Sequence, residues 1–297
     1  MNYYLPPPAC ILLPLYFMTD TGFIRNLYQP LQPAENKSGR GSLYYKEYLP
    51  PPILQPFVHC IWELKTQRQL DKLYFYRVVS DGCLDLIVDC QTFQGIIVAG
   101  VTDHALEIPV FNSASYIGVR FLPAGINHFD KFPVANLQNQ MVGIADAVGN
   151  KWNELALRLF ECWYSRDRLQ LINSFLINQL SKNKITVHPA LEDALHQILS
   201  ADGHLPIQKK AASYISPRQL QRLFLEHIGC TPKVFARIIR FQKTLYQMNH
   251  GRPGQNRSAF YHFGYTDQAH FIREFKLFYG TTPGLLKTPG QKVELPV

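Results

Sequence analysis

Two short segments, 51 positions apart, hold the same arginine between the same apolar positions: Leu220-x-Arg222-x-Phe224 and Phe271-x-Arg273-x-Phe275. A guanidinium is a planar, permanently charged fork of donors, suited to paired acceptors such as phosphate oxygens. The charge around these segments agrees. Residues 209–287 contain 13 Lys and Arg against only Glu226, Asp267 and Glu274, a net of +10, whereas residues 1–184 balance 16 against 15. A basic, aromatic window on a near-neutral remainder implies a polyanion partner. Other chemistries lack their motifs. There is no G-x-S-x-G, no H-E-x-x-H, no phosphate loop and no reactive-cysteine motif, so no enzyme is expected. The six cysteines form no C-x-x-C pair, and reduced structural thiols are the expectation. His59, Cys60, Cys83, Asp89, Cys90 and His104 match no common zinc spacing, so neither metal nor cofactor is expected.

The elements that must position the arginines are helices. Ser216-Pro217-Arg218-Gln219 combines a capping serine, a proline at the first helical position and a glutamine three residues after the cap, which together open a helix. Leu220, Leu223 and Phe224 form its buried stripe, and Gly229 ends it. Thr231-Pro232 starts a longer helix with Phe235, Ile238, Ile239 and Leu245 inward. Leu205–Ile215 reads as a short helix before the first. The pattern then returns: Gly264-Tyr265 turns, Thr266 caps, and Phe271, Phe275 and Phe278 recur at helical spacing. Gly280-Thr-Thr-Pro283 closes it as Gly229-Cys-Thr-Pro232 closes the first. A doubled cap, stripe and stop is not a propensity accident.

Ser216–Phe224 and Gly264–Lys276 closely resemble the two recognition helices of the AraC/XylS family of bacterial transcription regulators. Upstream, Tyr48–Pro52, Asp81-Gly82, Gly118–Pro123 with Gly125, and Leu155–Leu159 are similar to a poorly characterised regulatory domain on one branch of that family. The resemblance implies a sequence-specific DNA-binding regulator. Two helix-turn-helix units, joined by a helix over about 232–248, would place recognition helices at about 217–228 and 267–279 in successive major grooves. Carried over by position, the base-reading set is Arg218, Gln221 and Arg222, then Gln268, His270 and Arg273. Lys233, Arg237, Lys243 and Lys276 are the phosphate candidates. Lys210 and Phe260 stand where the family packs a small alanine, with Ala211 and Ala259 one position off, and Tyr214 stands where a glycine is common.

The implied fold is α+β: a strand-rich N-terminal domain with a helical appendage, then an all-α domain of two helix-turn-helix units. Its expected divisions are an extension over 1–45, a regulatory or dimerisation domain over 46–184, the DNA-binding domain over 186–288 and a tail over 289–297. Ten of 21 prolines lie in the first 56 residues, so the extension reads as flexible. Strand signals are Leu73–Val79, Leu84–Val88, Gly95–Ala99 and Tyr116–Phe121, with Asp81-Gly82 as a hairpin turn. From Asn153, Leu155, Leu159 and Cys162, then Leu169, Ile172, Leu176 and Leu180, follow helical spacing. An effector pocket inside the strand core would use Tyr74, Tyr76 and Arg120. Double-stranded DNA is the expected partner, with RNA polymerase, a second copy of the chain and an unidentified small effector as further candidates. No segment reads as a membrane span, and the expected location is cytoplasmic. The competing readings are a small-barrel enzyme with a basic helical appendage and a ligand-independent dimeric DNA-binding protein.

Overall fold

The computed structural model describes residues 22–33, 43–68, 70, 74–143, 150–183, 187–204, 215–250 and 264–286. The α+β expectation holds: among the described residues eight strands precede most of the helices. The strands are β1 (Leu43–Tyr48), β2 (Val58–Thr66), β3 (Tyr74–Val78), β4 (Leu84–Asp89), β5 (Ile96–Ala99), β6 (Leu106–Val110), β7 (Ser115–Phe121) and β8 (Met141–Gly143). Six form an antiparallel sheet in the order β1-β2-β7-β4-β5-β8, and β3 pairs with β6 in a second, two-stranded sheet.

Alternation along the large sheet's strands separates two interiors. Leu84, Leu86 and Val88 of β4, with Val119 and Phe121 of β7, pack on the outer side against Trp152, Leu155, Leu159, Ile172 and Leu176. Those residues come from α2 (Asn150–Glu161) and α3 (Ser165–Lys182), as the helical spacing of Leu155, Leu159, Ile172 and Leu176 predicts, whereas Cys162 lies one residue beyond the end of α2. Asp85, Ile87 and Arg120 face the other way, towards β3 and β6. Gly118 lies opposite Trp62, where an added Cβ would stand 2.3 Å from the indole ring. The close approach of that ring accounts for the glycine.

Two sequence expectations need correction. Asp81-Gly82 is not a hairpin turn, because β3 and β4 lie in different sheets. Gly82, at φ +65°, carries the chain from one sheet to the other while lying under the Phe235 ring. The Asp81 carboxylate accepts from the Cys83 N–H at 3.0 Å and the Gln32 amide at 2.7 Å. These tertiary partners, not a two-residue loop, set the local conformation. The stretch 22–33 is likewise packed rather than flexible. It opens with α1 (Gly22–Leu27), buries Ile24 and Tyr28, and is held by the Arg25 guanidinium on the carbonyls of Gln55, Val58 and His59. Proline-rich composition hides such anchors, because the partners lie far along the chain.

Among the described residues four helices follow: α4 (Pro189–Ser200), α5 (Pro217–His227), α6 (Pro232–His250) and α7 (Gln268–Tyr279). Their core is shared with the N-terminal part. Ile24, Tyr28, Val79, Cys83, Val101 and Leu122 pack in one cluster with Leu220, Phe224, Phe235, Ile238, Phe275 and Phe278. Each fully buried phenylalanine there contributes about 1.5–3 kcal/mol relative to exposure. No described helix is long and apolar enough to cross a membrane. The expected helix 205–215, the loop 252–257, and the departures at Lys210, Ala211, Tyr214, Ala259 and Phe260 lie outside the described residues, apart from Ile215.

Candidate nucleic-acid interface and the cavity behind it

Helix α5 begins with the capping box that its sequence announces. The Gln219 N–H donates to Ser216 Oγ at 3.2 Å, and the Ser216 N–H donates to Gln219 Oε1 at 2.8 Å. Leu220, Leu223 and Phe224 are buried, which leaves Arg218, Gln221 and Arg222 exposed on the opposite side. Arg222 lies 3.9 Å from Glu226 one turn on, an exposed pair of little energetic weight. Gly229, at φ +91°, closes the helix.

Helix α7 repeats the design with a different cap. Asp267, not Thr266, accepts the His270 N–H, at 2.7 Å. That hydrogen bond is the largest influence holding the Asp267 carboxyl below its ordinary range. Thr266 instead meets His270 through its side chain, Oγ1 to Nδ1 at 3.1 Å. Threonine and aspartate both cap well, so the sequence placed the helix start one residue early. Phe271, Phe275 and Phe278 are buried, Gln268 and Arg273 are exposed, and His270 is half-buried beside Tyr265.

The four phosphate candidates divide. Lys233 and Lys276 are exposed. The Arg237 Nε donates to Glu274 at 2.6 Å, and Arg240 reaches the same buried carboxylate at 2.6 Å, tying α6 to α7. Lys243 pairs with Asp202 at 2.9 Å. The doubly clamped Glu274 carries no local signal. It sits beside Arg273 in sequence and reads there as one more surface charge.

The C-terminal ends of both exposed-arginine helices dock on the strand region. Asn127 donates its amide to the His227 carbonyl at 2.9 Å. The Ser80 and Ala105 N–H groups donate to the carbonyls of Phe278 and Leu277 at 3.3 and 2.9 Å. Gln242, buried in the middle of α6, accepts from the Leu31 N–H at 2.8 Å and donates to the Ser80 carbonyl at 2.8 Å. Both recognition helices are thus anchored at one end while their N-terminal halves face outward.

Behind that contact, between the two sheets, lies a cavity of about 190 Å³ to which all eight strands contribute. Of the three sequence candidates, Tyr76 and Arg120 line it; Tyr74 does not and packs at the edge of the neighbouring cluster. Sequence reasoning missed Tyr45, Trp62, Asp81 and Asp85 as lining residues. Arg120, 5% exposed, bonds the Asp85 carboxylate through Nε and Nη2 at 3.3 and 3.2 Å and lies 3.5 Å from Asp81. Burial would lower the Arg120 pKa, yet the charges of Asp85 and Asp81 raise it well above its ordinary value. Elsewhere, a bulge at His59 in β2 brings His59 and Cys60 beside Glu47, with ligand-type atoms within 4.8 Å of one another. The other residues considered for metal, Cys83, Asp89, Cys90 and His104, do not join that group.

Comparison with known proteins separates the chain in the same way. Residues 46–143 match a domain of unknown function (DUF6597), and residues 211–288 match a helix-turn-helix domain. No curated protein matches the chain. Among solved structures, ToxT from Vibrio cholerae is 15% identical with a TM-score of 0.33, covering 82% of this chain and 95% of ToxT. ToxT with a bound unsaturated fatty acid is also 15% identical, with a TM-score of 0.35, covering 82% of this chain and 94% of that one. At such scores the likeness carries no weight for this chain, and the assignment rests on the helix-turn-helix match and the two capped, arginine-bearing helices. The protein is therefore a DNA-binding transcription regulator whose C-terminal part is an AraC-type helix-turn-helix domain, carried behind an N-terminal domain of unknown function.

Proposed function

We propose that α5 and α7 read DNA bases through Arg218, Gln221 and Arg222 and through Gln268, His270 and Arg273. Lys233 and Lys276 engage phosphate. Arg237 and Lys243 act chiefly by holding α7 and the turn after α4 against α6, since each already meets a carboxylate. The observation that carries this reading is the exposure of the arginines on the outward sides of two capped helices whose opposite ends are docked. Recognition helices contact base edges through their N-terminal residues, which is the part left open here.

The regulatory unit, proposed to span about 46–184, binds an effector in the cavity and signals through residues 79–83. Asp81 and Cys83 line the cavity, while Ser80 bonds α6 and α7 and Gly82 lies under Phe235 of α6. One five-residue segment therefore touches both the cavity and the helices that carry the reading residues. No catalysis belongs to this reading. RNA polymerase and a second copy of the chain are the protein partners proposed, and the location is cytoplasmic.

A mobility-shift assay of the full chain on its own upstream region tests the proposal. Binding is expected to be sequence-dependent and to weaken steeply as salt rises, because phosphate neutralisation releases counterions. Binding that ignores sequence at every salt concentration would reassign both arginine sets to phosphate.

A further inference from the structure

We propose that the cavity between the two sheets takes a small, uncharged ring-sized molecule that offers a hydrogen-bond acceptor to Arg120, and that it rejects carboxylates. This inference rests on the effector reading above and specifies its chemistry.

Size sets the first limit. An apolar cavity of about 150 Å³ accommodates benzene, so about 190 Å³ leaves room for a ring with one compact substituent and not for a long acyl chain. The walls suit a flat apolar body. Leu64, Val78, Ile97 and Ile108 supply aliphatic surface. Tyr45 stands between Trp62 and Tyr76, with ring centroids 6.3 and 5.9 Å away.

The second limit comes from one unsatisfied group. Arg120 is 5% exposed and lines the cavity, and its Nη1 has no hydrogen-bond partner although Nε and Nη2 both reach Asp85. A buried cationic donor left unmade is costly, and buried polar groups in pockets are what fix a ligand's orientation. A ligand acceptor at Nη1 would complete the guanidinium.

The third limit is charge. Two carboxylates, Asp85 and Asp81, already stand against this single guanidinium. The other titratable side chains around the cavity, Tyr45, Tyr76, Tyr116 and Cys83, are neutral in their ordinary state, and no second cation lines it among the described residues. Burial, the largest influence on Asp85, pushes its carboxyl up, so the site already resists negative charge. A ligand carboxylate would be the third in that environment, and a ligand ammonium, which carries donors only, offers Nη1 no acceptor. A carbonyl, amide or hydroxyl satisfies Nη1 without doing so.

The test uses the full chain and four probes of matched size: benzamide, benzoate, benzylamine and toluene. Binding is read by ligand-observed NMR and by the shift in melting temperature. Benzamide is expected to bind at least tenfold more tightly than benzoate and more tightly than toluene, with benzylamine showing no advantage. Ala99→Leu, which fills the cavity from β5, two strands away from Arg120 on β7, is expected to abolish benzamide binding while leaving the circular dichroism spectrum unchanged. Arg120→Lys, where it folds, is expected to erase the preference for benzamide over toluene. Benzoate or benzylamine binding as tightly as benzamide overturns the proposed ligand class, as does the absence of binding by all four probes. Benzamide binding that survives Ala99→Leu places the ligand outside the cavity and overturns the proposal. Benzamide binding that Ala99→Leu removes but that leaves DNA affinity unchanged upholds the ligand class and defeats the effector reading alone.

Discussion

Helices α5 and α7 share a sequence pattern but are held by different forces. Helix α5 is specified locally: a serine and a glutamine close its first turn, and its apolar stripe follows directly. Helix α7 relies on distant partners. Its Glu274 is buried between Arg237 and Arg240 of α6, and its last carbonyls accept from Ser80 and Ala105 of the strand region. A duplicated motif can therefore present the same arginine twice while coupling the two copies to the rest of the molecule unequally. Helix α7 is the one hydrogen-bonded to Ser80, within the 79–83 segment that also lines the cavity.

Four measurements would break or sharpen this contrast. The largest effect is expected from Glu274→Ala, which strands Arg240 and the half-exposed Arg237 without their carboxylate. Removing one side of a buried ion pair costs roughly 3–5 kcal/mol. The lower end applies here because Arg237 keeps solvent contact. Urea unfolding would measure the loss, and a change under about 1 kcal/mol would show that the clamp is not what holds α7. Next come Arg222→Ala and Arg273→Ala, each expected to weaken specific DNA binding by about 1–3 kcal/mol. Footprinting should show the loss at different half-sites, and equal losses on all sequences would place both side chains on phosphate. Ser216→Ala should cost about 1 kcal/mol of stability by removing the cap of α5, with no cost that depends on the strand region. The smallest effect is acid sensitivity. The lowered pKa of Asp267 means that its stabilising contribution is fully present above the ordinary carboxylate range and is lost as pH falls through the folded value. The His270 amide resonance should follow that titration, while α5, capped by uncharged groups, should show no counterpart.

The same contrast explains what was legible in the sequence. Recognition-helix bounds, the long helix between them and the exposed sides carrying Arg218, Gln221, Arg222, Gln268 and Arg273 follow from caps, stops and helical spacing, all of them local. Strand β2 was hard to see because Glu63, fully buried and bonded by Tyr48, and Lys65 interrupt its apolar run. Gln242 reads as a surface amide on a helix, yet it is 1% exposed because Leu31 and Ser80 occupy its hydrogen-bonding groups. The cavity's polar corner shows the same limit. Arg120 was found as a candidate, but Asp85 and Asp81 reach it through strand register and a sheet-to-sheet crossing that no window of sequence displays.

The core shared between the two ends of the chain has a consequence for synthesis. Val79 and Cys83 leave the ribosome long before Phe235 and Phe278, which complete their packing. At about 5–20 residues per second, the 152 positions from Cys83 to Phe235 take roughly 8–30 s to appear. For that interval the finished strands hold an apolar seam open to water. The nascent chain is most exposed to misassociation then; the arrival of α6 begins to cover the seam, and α7, which brings Phe275 and Phe278, closes it.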